Sequence, residues 1–134
     1  MTAFTKINSF VEVMAEGAVN LGGTGLTIAL TNTPHTATWD ELADLTQISY
    51  TNLSSRVLTV TTSSQTGGTY TLDCSDLVLT ASGAVGPFRY IYIYDDASTG
   101  DKLIGYYDYG SEVTLAAGNT FTITFNASGV LTIA

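Results

Sequence analysis

A mainly β fold, an antiparallel β-sandwich or barrel of about eight short strands with one N-terminal amphipathic helix, is predicted by three observations. Twenty-three of the 134 residues are threonine and eight are tyrosine, types that fit a pleated, half-buried surface better than a helix. Apolar and polar residues alternate along many short segments. Those segments recur at intervals of about ten residues, with glycine, serine and asparagine turn signals between most of them. The length suits one domain spanning residues 1–134, which buries roughly two-thirds of its unfolded surface around one core. No linker and no repeat of fixed period divides it.

Between Thr5 and Leu21 the apolar residues Ile7, Phe10, Val11, Met14, Ala18 and Leu21 recur at helical spacing. This predicts a helix over about residues 6–18, capped by Thr5 or Asn8, stopped at Gly22-Gly23, and packed through Ile7, Phe10, Val11 and Met14. The β domain follows from about residue 24. Leu26, Ile28 and Leu30 alternate with Thr27, Ala29 and Thr31 as its first strand. Thr38 and Glu41 stand at capping-box spacing, which predicts a short helix or turn around Trp39 to Ala43. Val57 to Thr61 and Thr69 to Leu72 read as a hairpin joined by a loop of several residues around Gly67-Gly68. Further strands are expected at Leu77 to Ala81, Phe88 to Tyr94, Leu103 to Tyr109, Glu112 to Leu115, Phe121 to Phe125 and Val130 to Ile133.

Only 12% of residues are charged, against a usual share of roughly 25%, while 45% are apolar, so the composition is that of a folding chain. Four basic residues, Lys6, Arg56, Arg89 and Lys102, stand against twelve acidic ones, a net charge of −8 with no cluster of cations. Nucleic acid and anionic membranes are therefore not expected as partners, because both require several cations on one surface. One cysteine, Cys74, allows no internal disulfide and suits a reducing compartment. Lys6, Glu12 and Glu16 interrupt any signal-peptide or membrane-spanning segment near the start, which points to synthesis in a cytoplasm.

Chemistry-bearing residues are few. His35 is the only histidine and sits in a polar loop with no Cys, Asp or Glu within four residues, which reads as a loop residue and not a metal ligand. No Gly-x-Ser-x-Gly elbow accompanies it. Cys74 lies between Asp73 and Asp76, which oppose a thiolate, so it reads as a small buried residue. Asp95, Asp96 and Asp101 flank a glycine and could offer oxygen ligands to calcium, but their spacing does not match a calcium loop and they suit a hairpin turn. No catalytic residue, metal site or cofactor is expected.

The aromatic run carries more. Phe88, Tyr90, Tyr92 and Tyr94 fall on one face of a strand and Arg89, Ile91 and Ile93 on the other. With Ile91 and Ile93 in the core, the aromatic ladder must be covered by the helix, another sheet or another chain, or else both faces lie inside a sandwich. Tyr106, Tyr107 and Tyr109 extend the set, and together with Phe10 these tyrosines are the candidate partner-contact residues.

The opening Phe4-Thr5-Lys6-Ile7-Asn8-Ser9-Phe10-Val11-Glu12 and the string Leu26 to Thr33 resemble a family of small virion proteins of tailed bacteriophages. The segments Gly86 to Tyr90, Leu103 to Gly110 and Gly129 to Ile133 are similar to the same family, so the resemblance spans nearly the whole chain. It implies a head-associated, non-enzymatic role: a capsid decoration or cement protein, bound to the major capsid protein and to copies of itself on the outside of the virion head. It transfers no functional residue. Repeated local threefold positions of a shell favour a trimer. Two alternatives remain: a tail-tube or head-completion subunit assembling as a ring, and a glycan-binding adhesin module using surface tyrosines.

Overall fold

The computed structural model describes residues 1–134 and is mainly β, with nine antiparallel strands and one short helix. Four strands form the central sheet in the order β1 (Thr5–Lys6), β7 (Lys102–Leu115), β6 (Val85–Asp95), β2 (Leu26–Thr31). A second layer consists of a three-stranded sheet, β3 (Val60–Thr66), β4 (Thr69–Cys74), β9 (Leu131–Ile133), and a pair, β5 (Leu77–Thr80) with β8 (Thr120–Ile123). The sheets keep separate edges, so the arrangement is an open sandwich and not a closed barrel.

Strand register explains why the middle of the central sheet has no wet face. Ile28 pairs with Ile93 and Leu30 with Ile91, and this aliphatic face joins Leu72, Leu79 and Ile123 of the second layer in one cluster of 26 buried residues. On the opposite face Thr27 pairs with Tyr94, Ala29 with Tyr92 and Thr31 with Tyr90. That face is closed by the chain's own long connection, residues 32–59, which acts as a strap. The strap also occupies the outer edge of β2: Ile48 N–H bonds Leu30 C=O at 3.1 Å, Ile28 N–H bonds Arg56 C=O at 2.9 Å and Leu58 N–H bonds Leu26 C=O at 2.8 Å. An edge that would otherwise invite pairing is thereby covered.

Several boundaries differ from the sequence expectation for local reasons. The helix, α1, is confined to Phe10–Ala15. Thr5–Lys6 instead pairs with Tyr106 and Gly105 of β7, and Gly17, at φ +71°, ends the helix with Gly17 N–H on Met14 C=O and Ala18 N–H on Val13 C=O. This pair of bonds is a glycine-terminated helix stop one turn earlier than Gly22. Within so short a helix Phe10 and Val13 point inward, while Val11, placed on the packed face from sequence, is 57% exposed. The short helix or turn expected around Trp39 to Ala43 is a single 3-10 turn, Leu42–Asp44, closed by a capping box between Glu41 and Asp44 and not between Thr38 and Glu41. The β3–β4 loop is two residues long, because Gly67 and Gly68 at φ +58° and +86° form the primed turn whose twist matches the strands. Strands expected as Leu103–Tyr109 and Glu112–Leu115 are one strand, β7, which passes through Gly110 at φ +95°. β6 likewise runs through Gly86-Pro87, a pair expected to turn, at the cost of a shifted register between Val85 and Phe88.

Candidate functional site

Of the candidate contact residues, Phe10, Tyr90, Tyr92, Tyr94 and Tyr107 lie inside the chain's own core, at 8% exposure or less. Their area is closed by intramolecular packing. Tyr106 is half-buried and Tyr109 is 40% exposed, so only these two reach the surface. Tyr107 packs edge-on to Phe4 at 5.5 Å and beside Phe125 at 6.3 Å, and burial pushes its hydroxyl up to about 12.

The ladder is covered by side chains that no local sequence pattern connects with it. His35 stacks on Tyr106 at 4.5 Å and 25°, Trp39 meets His35 edge-on at 5.7 Å, and Tyr92 stacks on Tyr106 at 5.2 Å. His35 Nδ1 lies 2.9 Å from the Tyr92 hydroxyl. Burial holds that hydroxyl well above its ordinary pKa and the imidazole below its own, so both groups are held in their neutral forms. The polar partner of His35 is the Tyr92 hydroxyl and not a carboxylate, so the ring ties the strap to β6. The connection spans 57 residues, which is why no local pattern announces it.

Cys74 is buried, and burial followed by the neighbouring Asp73 pushes its thiol up to about 11, so it carries no thiolate at neutral pH. In the acidic hairpin Asp95 is 2% exposed, with Oδ2 accepting Asn20 N–H at 3.0 Å and Oδ1 accepting Ala97 N–H at 3.0 Å. Ser98 Oγ completes the turn by donating to Asp95 C=O at 2.6 Å and accepting from Lys102 N–H at 2.8 Å. The carboxylate organises a turn. Gly25 is required beside it, since a Cβ there would stand 2.5 Å from Asp95 Oδ1 and 2.9 Å from Ala97. Elsewhere Lys102 pairs with Glu41, and Arg89 grips Asp108 through two bonds of 2.8 and 3.0 Å, which holds that carboxyl below the usual range. No group of three or more His, Cys, Asp or Glu side chains is placed to share a metal. An open recess of about 900 Å³ lies between the N-terminal arm and the segment leading into β9, with Phe4, Phe10 and Leu131 on its walls and Lys6 as its one charged side chain. No helix is long and apolar enough to cross a membrane.

What the fold does assemble is a segregation of charge. Residues 17–39, 57–72, 77–88 and 113–134 contain no Asp, Glu, Lys or Arg. The fold gathers most of the last three runs into the second layer, where Asp73 on β4 and Asp76 in the β4–β5 link are the only charged side chains. By register Ser64 opposes Thr71, Thr71 opposes Thr132, Val78 opposes Thr122 and Thr80 opposes Thr120, a face of short hydroxyl and methyl side chains turned away from the core. The acidic groups concentrate on the central sheet, the strap, the helix and the 95–101 turn. The signal was present in the sequence as uncharged runs; their common destination was not. No protein-family model, no curated protein and no solved structure matches the chain.

Proposed function

We propose that the protein is a non-enzymatic structural component of a tailed-bacteriophage virion, a decoration protein on the outside of the head that is made in the host cytoplasm and binds the major capsid protein. The observation that carries this reading is the segregation of charge: one threonine-rich layer, suited to docking, whose only charged side chains are Asp73 and Asp76, backed by a body that holds the other ten of the twelve acidic residues. A docking layer with only two carboxylates, Asp73 and Asp76, limits the ions desolvated on contact, and it gives short side chains that pack closely without losing much rotamer freedom. The acidic body faces solvent, discourages non-specific association and is repelled by packaged DNA. The resemblance of Phe4–Glu12, Leu26–Thr33 and Leu103–Gly110 to phage head-associated proteins supplies the context, and shell symmetry favours trimeric clusters of copies.

The test is add-back. Purified protein is mixed with mature particles lacking it, and copies per shell are counted after separation. Saturation at a fixed number, little affected by salt, is expected, since such contacts release few counterions. Protein that stays unbound on shells, co-purifies with tails, or adheres to host cells by itself overturns the assignment. Thr122→Glu, which places a carboxylate on the exposed face of β8, is expected to reduce occupancy at least tenfold without unfolding the chain.

A further inference from the structure

We infer that β3 is a pairing edge for a second copy of this chain, joining antiparallel to β3 of that copy across a twofold axis and giving a continuous six-stranded sheet. β3 ends its sheet, and residues Thr61 to Thr66 are exposed. No backbone bond from the rest of the chain reaches its outer side, in contrast to β2, whose edge the strap occupies. Which groups point outward follows from register. Val130 N–H bonds Leu72 C=O at 2.7 Å, so Leu72 turns its backbone toward β9, and Ser63 directly opposite turns its own away from β4. By the same alternation the outward N–H and C=O groups are those of Ser63 and Gln65.

A second copy is the occupant that fits. With the axis at Ser64, Ser63 lies opposite Gln65 of the partner subunit and the reverse, so both outward residues are satisfied on each side by four backbone bonds. Charge selects the same partner. In a chain of net charge −8, the run from Val57 to Leu72 has no charged side chain, so two copies meet there without opposed carboxylates. Asp73, on β4, would stand at least three strand spacings, about 14 Å, from its counterpart, which exceeds the Debye length of about 8 Å at physiological salt. The edge also lacks the lysines and prolines that usually guard such strands. This contact is twofold, separate from any threefold clustering, and leaves the outer face of the layer free; it concerns the free protein and does not depend on the virion assignment.

Sedimentation of the full chain over micromolar to millimolar concentration tests it. The expected result is reversible doubling of the smallest species, with amide exchange at Ser63 and Gln65 slowed as concentration rises. Gln65→Pro, which removes an outward N–H that the monomer does not use, is expected to abolish doubling. Ser64→Glu, on the exposed face, is expected to weaken it at least tenfold at low salt with partial recovery at high salt, a recovery that misfolding would not show. A wild-type species that never doubles, or doubling that both variants retain, overturns the inference; the first of these outcomes would assign the edge to a strand of another protein.

Discussion

His35 joins the strap to the tyrosine ladder through its bond with the Tyr92 hydroxyl and its stack on Tyr106, and burial favours its neutral form, which makes it the residue where pH should act. Because burial lowers its pKa in the folded state from an ordinary 6.5, its contribution to stability is full above that value and is lost as pH falls below it. Denaturant midpoints are expected to drop between about pH 7 and pH 5, a window set by histidine titration, and His35→Gln, which keeps an acceptor for Tyr92, should flatten that dependence. Equal slopes for the two proteins would remove His35 from this role. Ser9 offers a second test at the same scale. It precedes α1 yet makes no capping bond, and its Oγ is buried without a partner. Ser9→Ala should therefore leave the melting temperature unchanged or slightly raised, whereas a working N-cap would cost about 1 kcal/mol on removal. Neither role was legible from neighbours in the sequence: His35 reads as a polar loop residue because its partners Tyr92 and Tyr106 are far away along the chain.

At the scale of elements, periodicity located most strands because each needs only its own alternation, but it began β3 at Val57, where the chain instead bonds the edge of β2 before β3 starts at Val60, and it misplaced the helix and missed β1 because tertiary pairing competes for the same residues. Thr5 and Lys6 have helical company, but β7 offers them an edge, and Gly17 closes the helix before its apolar stripe is complete. The consequence is measurable. Phe10, at 4% exposure, anchors α1 to the core, and Phe10→Ala should cost about 3–5 kcal/mol, as loss of a buried aromatic does. Val11→Lys should be within about 0.5 kcal/mol of wild type because its side chain is in solvent. Paired thermal or urea unfolding of the two variants decides between this placement and the longer helix, for which both substitutions would be costly. The tyrosine face shows the complementary lesson: alternation correctly predicted a strand without a wet face, but a strap of irregular backbone has no period by which to announce that it supplies the cover.

For the whole molecule, stability rests on two layers and a strap with neither disulfide nor clustered metal ligands. Melting curves with calcium and with a chelator should overlay, since the Asp95 carboxylate is occupied by the N–H groups of Asn20 and Ala97; a calcium-dependent rise of several degrees would instead show a bound-ion contribution to folding. The distribution of charge is the feature of this scale that supports the proposed function, with a threonine-rich layer that carries only Asp73 and Asp76 set against an acidic body. The runs that make that layer are visible in the sequence, but only the pairing of β3 with β4 and of β5 with β8 brings them to one side of the core. The most direct test of the virion assignment is to image intact particles at a resolution that places individual strands. The expected map shows this fold on the outer surface of the head, its threonine-rich layer against the shell and its Asp95–Asp101 turn toward solvent; density for it in the tail, or none anywhere on the particle, would contradict the account.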